Sequence, residues 1–254
     1  MNADRFDGRT VLVTGAGSGI GQATAEHFAS LGALVVISDV NDARLAGTHE
    51  RIEADGGHCH STVFDVASST DVDRALQSVL ESVGPLDVVV NNAGVLDRLS
   101  RVDETSDDEW NLVLGVNLTG MFNVARRTVE GLATRNGAMI NISSIAGLTG
   151  GRGGVAYTVS KHGVIGLTRH IAWMYADAGL RCNAICPGGV STNLKEGAAH
   201  FSQAGMTRLA AVFGTAVRTG EPKEIARVVG FLASDAASLL NGAVLVADGG
   251  WMTA

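Results

Sequence analysis

The chain has 254 residues, 46% of them hydrophobic, with 33 Gly, 3 Pro, 3 Cys and a formal net charge of −7. The acidic balance argues against a nucleic-acid partner, which needs clustered Lys and Arg to neutralise phosphates. No apolar run is long enough to span a bilayer, MNADRFDGRT has no apolar signal core, and three Cys are too few for a disulfide framework, so a cytoplasmic protein without a membrane partner is expected.

Short apolar runs alternate with helical patterns along the chain. Residues 10–14, 33–39, 58–64, 86–92, 138–143, 180–186 and 243–248 read as strands. The first, second, fourth and fifth are nearly continuous hydrophobic runs, as parallel strands covered on both faces require. Helical stretches fall at 19–31, 41–55, 70–83, 106–135, 155–178 and 222–234. This alternation predicts an α/β fold, a doubly wound parallel sheet of about seven strands with helices on both faces. No linker divides the chain, so residues 1–254 are expected to form a single domain. Stretch 188–220 lacks clear periodicity and follows the sixth strand, where a binding loop belongs.

The segment TGAGSGIG at 14–21 lies between the first strand and the first helix. Glycines there allow a tight turn, and backbone N–H groups at a helix N-terminus attract a pyrophosphate. Gly15, Ser18, Gly19, Ile20 and Gly21 are therefore candidate cofactor contacts. No Gly-Lys-Ser/Thr ending follows, which excludes the nucleoside-triphosphatase version of such a loop. Asp39 ends the second strand, 18 residues beyond Gly21, where an acid accepts hydrogen bonds from an adenosine ribose. Its charge repels a 2′-phosphate, so NAD is expected in preference to NADP, with Arg44 nearby to soften the preference. The competing role for Asp39 is a cap on the helix beginning near Asn41.

TGAGSGIG at 14–21, NNAG at 91–94, SSIAG at 143–147, YTVSK at 157–161 and PGGVST at 187–192 occur in order. Together they resemble the short-chain dehydrogenase/reductase family in its single-domain form, from Gly8 to DGGW at 248–251. The resemblance implies a Rossmann-type fold, a nicotinamide cofactor and alcohol–carbonyl interconversion by direct hydride transfer. It also implies a homotetramer, with helices 106–135 and 155–178 in one interface and the last helix and strand in another. The family places its catalytic serine 13 residues before the tyrosine, which selects Ser144 and leaves Ser143 to satisfy local backbone. Ser144 would polarise the substrate oxygen. Asn117 is implied to support a water-linked proton path to the lysine; an Asn inside a helix has modest helix propensity, so a local distortion is expected there. Asp65 and Val66 are implied beside the adenine and Asn92 and Gly94 beside the cofactor. Pro187, Gly188, Val190 and Thr192 are implied near the nicotinamide carboxamide.

Tyr157 and Lys161, spaced i, i+4 on the predicted helix, point the same way. An ammonium beside a phenol favours the phenolate, so Lys161 is expected to lower the Tyr157 pKa and make it a general base. The substrate should meet Ser144, with Leu96, Leu148 and Leu194 as apolar wall. With Phe201, Met206, Leu209, Val212 and Phe213 also in the late loop, a small or medium hydrophobic secondary alcohol or its ketone is expected. Two alternatives stand beside this reading: an NADPH-linked 3-oxoacyl-thioester reductase, and a non-catalytic NAD-sensing protein. Asp39 speaks against the first. The presence of Ser144, Tyr157 and Lys161 speaks against the second.

Other features are read as structural. His58 and His60 share a strand face, but no further ligands accompany them and Cys59, so no metal is expected. Cys182 and Cys186 read as small buried hydrophobes. His170, Trp173 and Tyr175 read as core or interface.

Overall fold

The computed structural model describes residues 5–194 and 200–253. Seven strands form one parallel sheet: β1 (Thr10–Thr14), β2 (Leu34–Asp39), β3 (His58–Val63), β4 (Val88–Asn91), β5 (Ala138–Ile142), β6 (Arg181–Pro187) and β7 (Val244–Ala247). Their spatial order is β3-β2-β1-β4-β5-β6-β7. The helices are α1 (Gly19–Ser30), α2 (Asp42–Ala54), α3 (Ser69–Ser82), α4 (Asp107–Leu114), α5 (Gly120–Ala133), α6 (Val155–Met174), α7 (Gln203–Phe213) and α8 (Pro222–Ala233). No helix among the described residues is long and apolar enough to cross a membrane.

The uninterrupted apolar strands are explained by two cores. Val11, Val13, Val35, Ile37, Val88 and Val90 pack with Phe28 of α1 and Val229 of α8. The residues between them, Leu12, Val36 and Val89, pack with Leu76 of α3 and with Val124 and Val129 of α5. Alternate side chains leave a strand on opposite faces, and both faces are covered, so every strand position must be apolar. Edge strand β3 has no fully buried residue, which is why its sequence tolerates His58 and His60.

The predicted helix 106–135 is α4 and α5 joined by a wider π-helical turn at Gly115–Thr119, the local distortion expected at Asn117. One expectation needs correction. Stretch 188–220 is not all loop, because it contains α7, capped by the Ser202 hydroxyl on the Gly205 N–H at 3.0 Å. Only Gly205 and Leu209 of α7 are buried, so no apolar stripe announces it. Residues 195–199 of this stretch lie outside the described residues. Its ends are pinched together where the Ser191 N–H reaches Gly220 O and the Gly220 N–H reaches Gly189 O, at 2.9 and 2.8 Å.

The chain runs outward from β1 through β2 to β3, then returns to β4 on the other side of β1. Connections on the two sides of that switch diverge, which opens a crevice at the carboxyl ends of the strands.

Candidate active site

A cleft of about 350 Å³ occupies the crevice. It is lined by Gly15, Ser18, Gly19, Ile20, Asp39, Asp65, Val66, Asn92 and Gly94 along one side, and by Ser144, Tyr157, Lys161, Pro187, Gly188, Val190, Thr192 and Leu194 along the other. The fold thus brings most sequence-predicted residues to one surface. A wider groove of about 1010 Å³ between residues 98–104 and α7 contains none of the motif residues.

The glycine-rich loop is shaped by its neighbours. The Asn92 amide donates to Thr14 O at 2.9 Å and Gly15 O at 3.1 Å, while Thr14 Oγ1 accepts from the Asn92 and Ala93 N–H groups. Asp39 Oδ2 accepts from the Gly17 N–H at 3.0 Å and its Oδ1 from the Asn41 N–H at 2.9 Å. Asn41, not Asp39, caps α2 through the Arg44 N–H. Asp39 therefore braces the loop from β2 and keeps acceptor capacity toward the cleft. Ser18 is the N-cap of α1 but makes no side-chain cap bond, so the first-turn N–H groups remain for a ligand.

Gly21 does not line the cleft. A Cβ there would stand 2.1 Å from Gly15 O and 2.4 Å from Asn92 Nδ2, so its work is to let the helix start lie under the loop. Gly21→Ala is expected to displace the loop backbone and lower the melting temperature, read by thermal unfolding. An unchanged melting temperature would show that the loop yields freely.

Tyr157 stands in the first turn of α6 and Lys161 one turn on, 7% and 3% exposed. Lys161 Nζ donates to Ile142 O at 2.9 Å and lies 5.6 Å from the Tyr157 ring centre. Ser144 and Tyr157 line the same end of the cleft, where the Ser144 hydroxyl favours the ionised phenol. Ser143 Oγ donates to Lys161 O at 2.9 Å, tying the end of β5 to α6. Burial pushes the Tyr157 phenol up to about 12; the Ser144 hydroxyl lowers it, and the Asp97 carboxylate raises it further. Burial pulls Lys161 down to about 8. The expected lowering of Tyr157 by Lys161 is thus overridden in the protein alone, because taking a phenolate out of water costs more than this neighbourhood returns.

Asn117 sits in the wider turn, fully buried and off the cleft wall. Its amide is clamped on Val95, accepting from the N–H at 2.8 Å and donating to the carbonyl at 2.9 Å, with a further bond to Ser160 Oγ. Leu96 and Leu148 do not line the cleft either. Leu96 packs in the small core of Val113, Ala146, Ala156 and Tyr157, and Leu148 is 36% exposed.

Sequence reasoning missed other lining residues: Ser38, Val40, Phe64, Val95, Val116, Ile142 and Asn193. Ser38 Oγ is buried without a hydrogen-bond partner. Most of these lie one or two positions from the motifs, so adjacency was the available signal. Among the described residues, no group of three His, Cys, Asp or Glu side chains is placed to hold a metal ion. Cys182 and Cys186 are buried and free.

Residues 15–252 match the family described as Enoyl-(Acyl carrier protein) reductase. The chain is 39% identical over 246 residues to 3beta-hydroxysteroid dehydrogenase 2 of Eggerthella lenta, covering 96% of this chain and 95% of the relative. It is 38% identical over 250 residues to cyclohexanol dehydrogenase of an Acinetobacter species, covering 98% and 97%. The solved structure of a gluconate 5-dehydrogenase from Burkholderia cenocepacia, in complex with NADP and tartrate, superposes with a TM-score of 0.88 at 33% identity, covering 100% of this chain and 98% of that one.

Proposed function

Because the chain belongs to the short-chain dehydrogenase/reductase family, an oxidoreductase family that binds a nicotinamide cofactor, we propose that it interconverts a hydrophobic secondary alcohol and its ketone, using NAD in preference to NADP. The observation that carries this reading is the meeting, in one cleft, of a glycine-rich loop at one end with Ser144, Tyr157 and Lys161 at the other. The residues fit a dinucleotide: the first turn of α1 lacks a side-chain cap, and the partnerless Ser38 hydroxyl lines the cleft. Gly15, Ser18, Gly19 and Ile20 would hold the pyrophosphate, Asp39 the adenosine ribose, and Asp65 and Val66 the adenine. Asn92 and Gly94 would flank the cofactor, with Pro187, Gly188, Val190 and Thr192 around the carboxamide. When bound, the nicotinamide supplies the hydride chemistry.

The chain's own residues handle the proton and the oxygen. Tyr157 takes the alcohol proton during oxidation and returns it during reduction. Ser144 hydrogen-bonds the substrate oxygen and steadies it as the carbonyl develops. Lys161 holds positive charge behind the phenol, and Asn117 fixes the Val95 backbone beside them.

Burial raises Tyr157, so the base form grows as pH rises. Alcohol oxidation is therefore expected to accelerate toward alkaline pH and ketone reduction toward lower pH, measured as kcat/KM across a pH series. A flat oxidation profile would remove Tyr157 as the titrating base.

Cyclic secondary alcohols are the first substrates to assay, since two similar relatives are named for a steroid and for cyclohexanol. NADH absorbance with cyclohexanol and a 3β-hydroxysteroid is the experiment. Turnover only with NADPH and a 3-oxoacyl thioester would replace this reading. The gluconate 5-dehydrogenase structure holds NADP, so the NAD preference rests on Asp39. Asp39→Ser is expected to move the ratio of kcat/KM for NAD to that for NADP by at least about tenfold toward NADP, about 1.4 kcal/mol. An unchanged ratio would place the discrimination elsewhere.

Exposed apolar residues support the tetramer expectation. Trp173 is 83% exposed on the α6 side and Val246 of β7 is 47% exposed at the sheet edge. Sedimentation reads the assembly, and a monomer at micromolar concentration would reject it.

A further inference from the structure

Helix α6 has no cap of its own. Its N-cap residue is Gly154, which carries no side chain to satisfy the first-turn N–H groups. The acceptors come from the loop after β4. Asp97 Oδ1 accepts from the Gly154 N–H at 3.0 Å and Oδ2 from the Tyr157 N–H at 2.9 Å, while Ser100 O accepts from the Val155 N–H at 3.2 Å. Asp97 is 1% exposed. Its third hydrogen bond, also from backbone, is the Leu99 N–H at 3.0 Å on Oδ1. Leu99 takes a φ of 58° in this loop, a conformation that L side chains rarely adopt. Glycine at 154 is needed for the approach, because a Cβ there would stand 2.4 Å from Asp97 Oδ2.

We propose that Asp97 is a positioning residue for Tyr157, a buried carboxylate that fixes the start of α6 from another part of the chain and places its charge at the first turn from which the phenol projects. The inference rests on the reading of Tyr157 as the acid–base group. A carboxylate at a helix N-terminus is favoured by the aligned peptide dipoles and by two N–H donors, which offsets its burial. Burial nonetheless raises the Asp97 carboxyl, and the three backbone hydrogen bonds pull it back. The bond to the Tyr157 N–H sets the backbone from which the phenol projects, so a shift at Asp97 becomes a shift of the catalytic oxygen. The charged and titratable groups around the pair are few. Lys161 on α6 and Cys186 on β6 face the phenol, and Glu109 on α4 faces Asp97. Of these, the Asp97 carboxylate opposes the ionisation of Tyr157.

Asp97→Asn tests both halves, since the amide keeps the shape but loses the charge and one acceptor. With cyclohexanol and NAD, kcat is expected to fall about 10- to 100-fold, because a misplaced catalytic group costs up to about 10²-fold. The KM for NAD is expected to stay within about twofold, since the interaction lost acts on the transition state. The alkaline limb of the oxidation profile is expected to move to lower pH, because removal of a like charge eases ionisation of Tyr157. Protein isotope-labelled at tyrosine Cζ gives the same reading by nuclear magnetic resonance without substrate, with Tyr157→Phe assigning which of the two tyrosines is which. The Tyr157 signal is expected to titrate at lower pH in Asp97→Asn. A wild-type kcat, or an unmoved Tyr157 titration with only a lower melting temperature, overturns the proposal and leaves Asp97 a plain helix cap. If Asp97→Asn does not fold, Gly154→Ala displaces the carboxylate instead and is expected to repeat the loss of kcat; wild-type kcat there also overturns the proposal. If the unaltered protein oxidises no secondary alcohol, the functional reading fails while the tyrosine titration still decides the role of Asp97.

Discussion

Replacing Tyr157 by Phe is expected to lower kcat by about 10²- to 10⁴-fold, the range that a positioned general acid–base supplies. The substitution removes the hydroxyl that shares the cleft wall with Ser144, and keeps the buried ring in the core of Val113, Ala146 and Ala156. Dinucleotide binding, read by fluorescence titration, is expected to stay within about threefold, because no change is made at the glycine-rich end. The two readings together matter. Loss of binding along with turnover would indicate a collapsed cleft, and retained turnover would assign the proton transfer to another group.

Arg181→Met is expected to destabilise the fold more than any surface change, by roughly 3 kcal/mol on the scale of charged hydrogen bonds. The Arg181 guanidinium, at the start of β6, donates to Leu232 O, Ala233 O, Ser234 O and Ala237 O at 2.7 to 3.2 Å. Those carbonyls close α8 and the short turn after it, where a helix end has no internal donors and where positive charge is favoured. Methionine fills the volume of the stem and satisfies none of them. For a chain of this size the melting temperature should fall by roughly 6–12 °C. Arg181→Lys is expected to recover only part of it, because an ammonium lacks the planar fork. A melting temperature within a degree of the wild type would mean that water satisfies these carbonyls equally well.

The central strands were legible because both their faces are buried. Val88–Val90 and Val35–Ile37 show apolar residues at every position, which is what two covered faces demand. The Tyr157–Lys161 pair was legible because helical spacing alone puts both side chains on one face. Helix α7 was not, since its fully buried residues are a glycine and one leucine, and Val212 and Phe213 at its end are only partly buried against Trp251. The sign of the Tyr157 shift was not legible either. Spacing revealed the ammonium, but the burial that raises the phenol is a property of the packed site.

The sequence by itself determined the element order, the glycine-rich turn between β1 and α1 and the motifs that carry the proposed reacting side chains, all of which are read from short stretches of chain. The tertiary structure alone decided what holds them. Asp97 reaches Gly154 and Tyr157 from 57 and 60 residues away, and Arg181 reaches the end of α8 from 51 to 56 away. An acid in a loop and an arginine at the first position of a strand carry no local pattern. Their roles come from burial, which leaves their partners no water to turn to, and burial exists only once distant segments have packed.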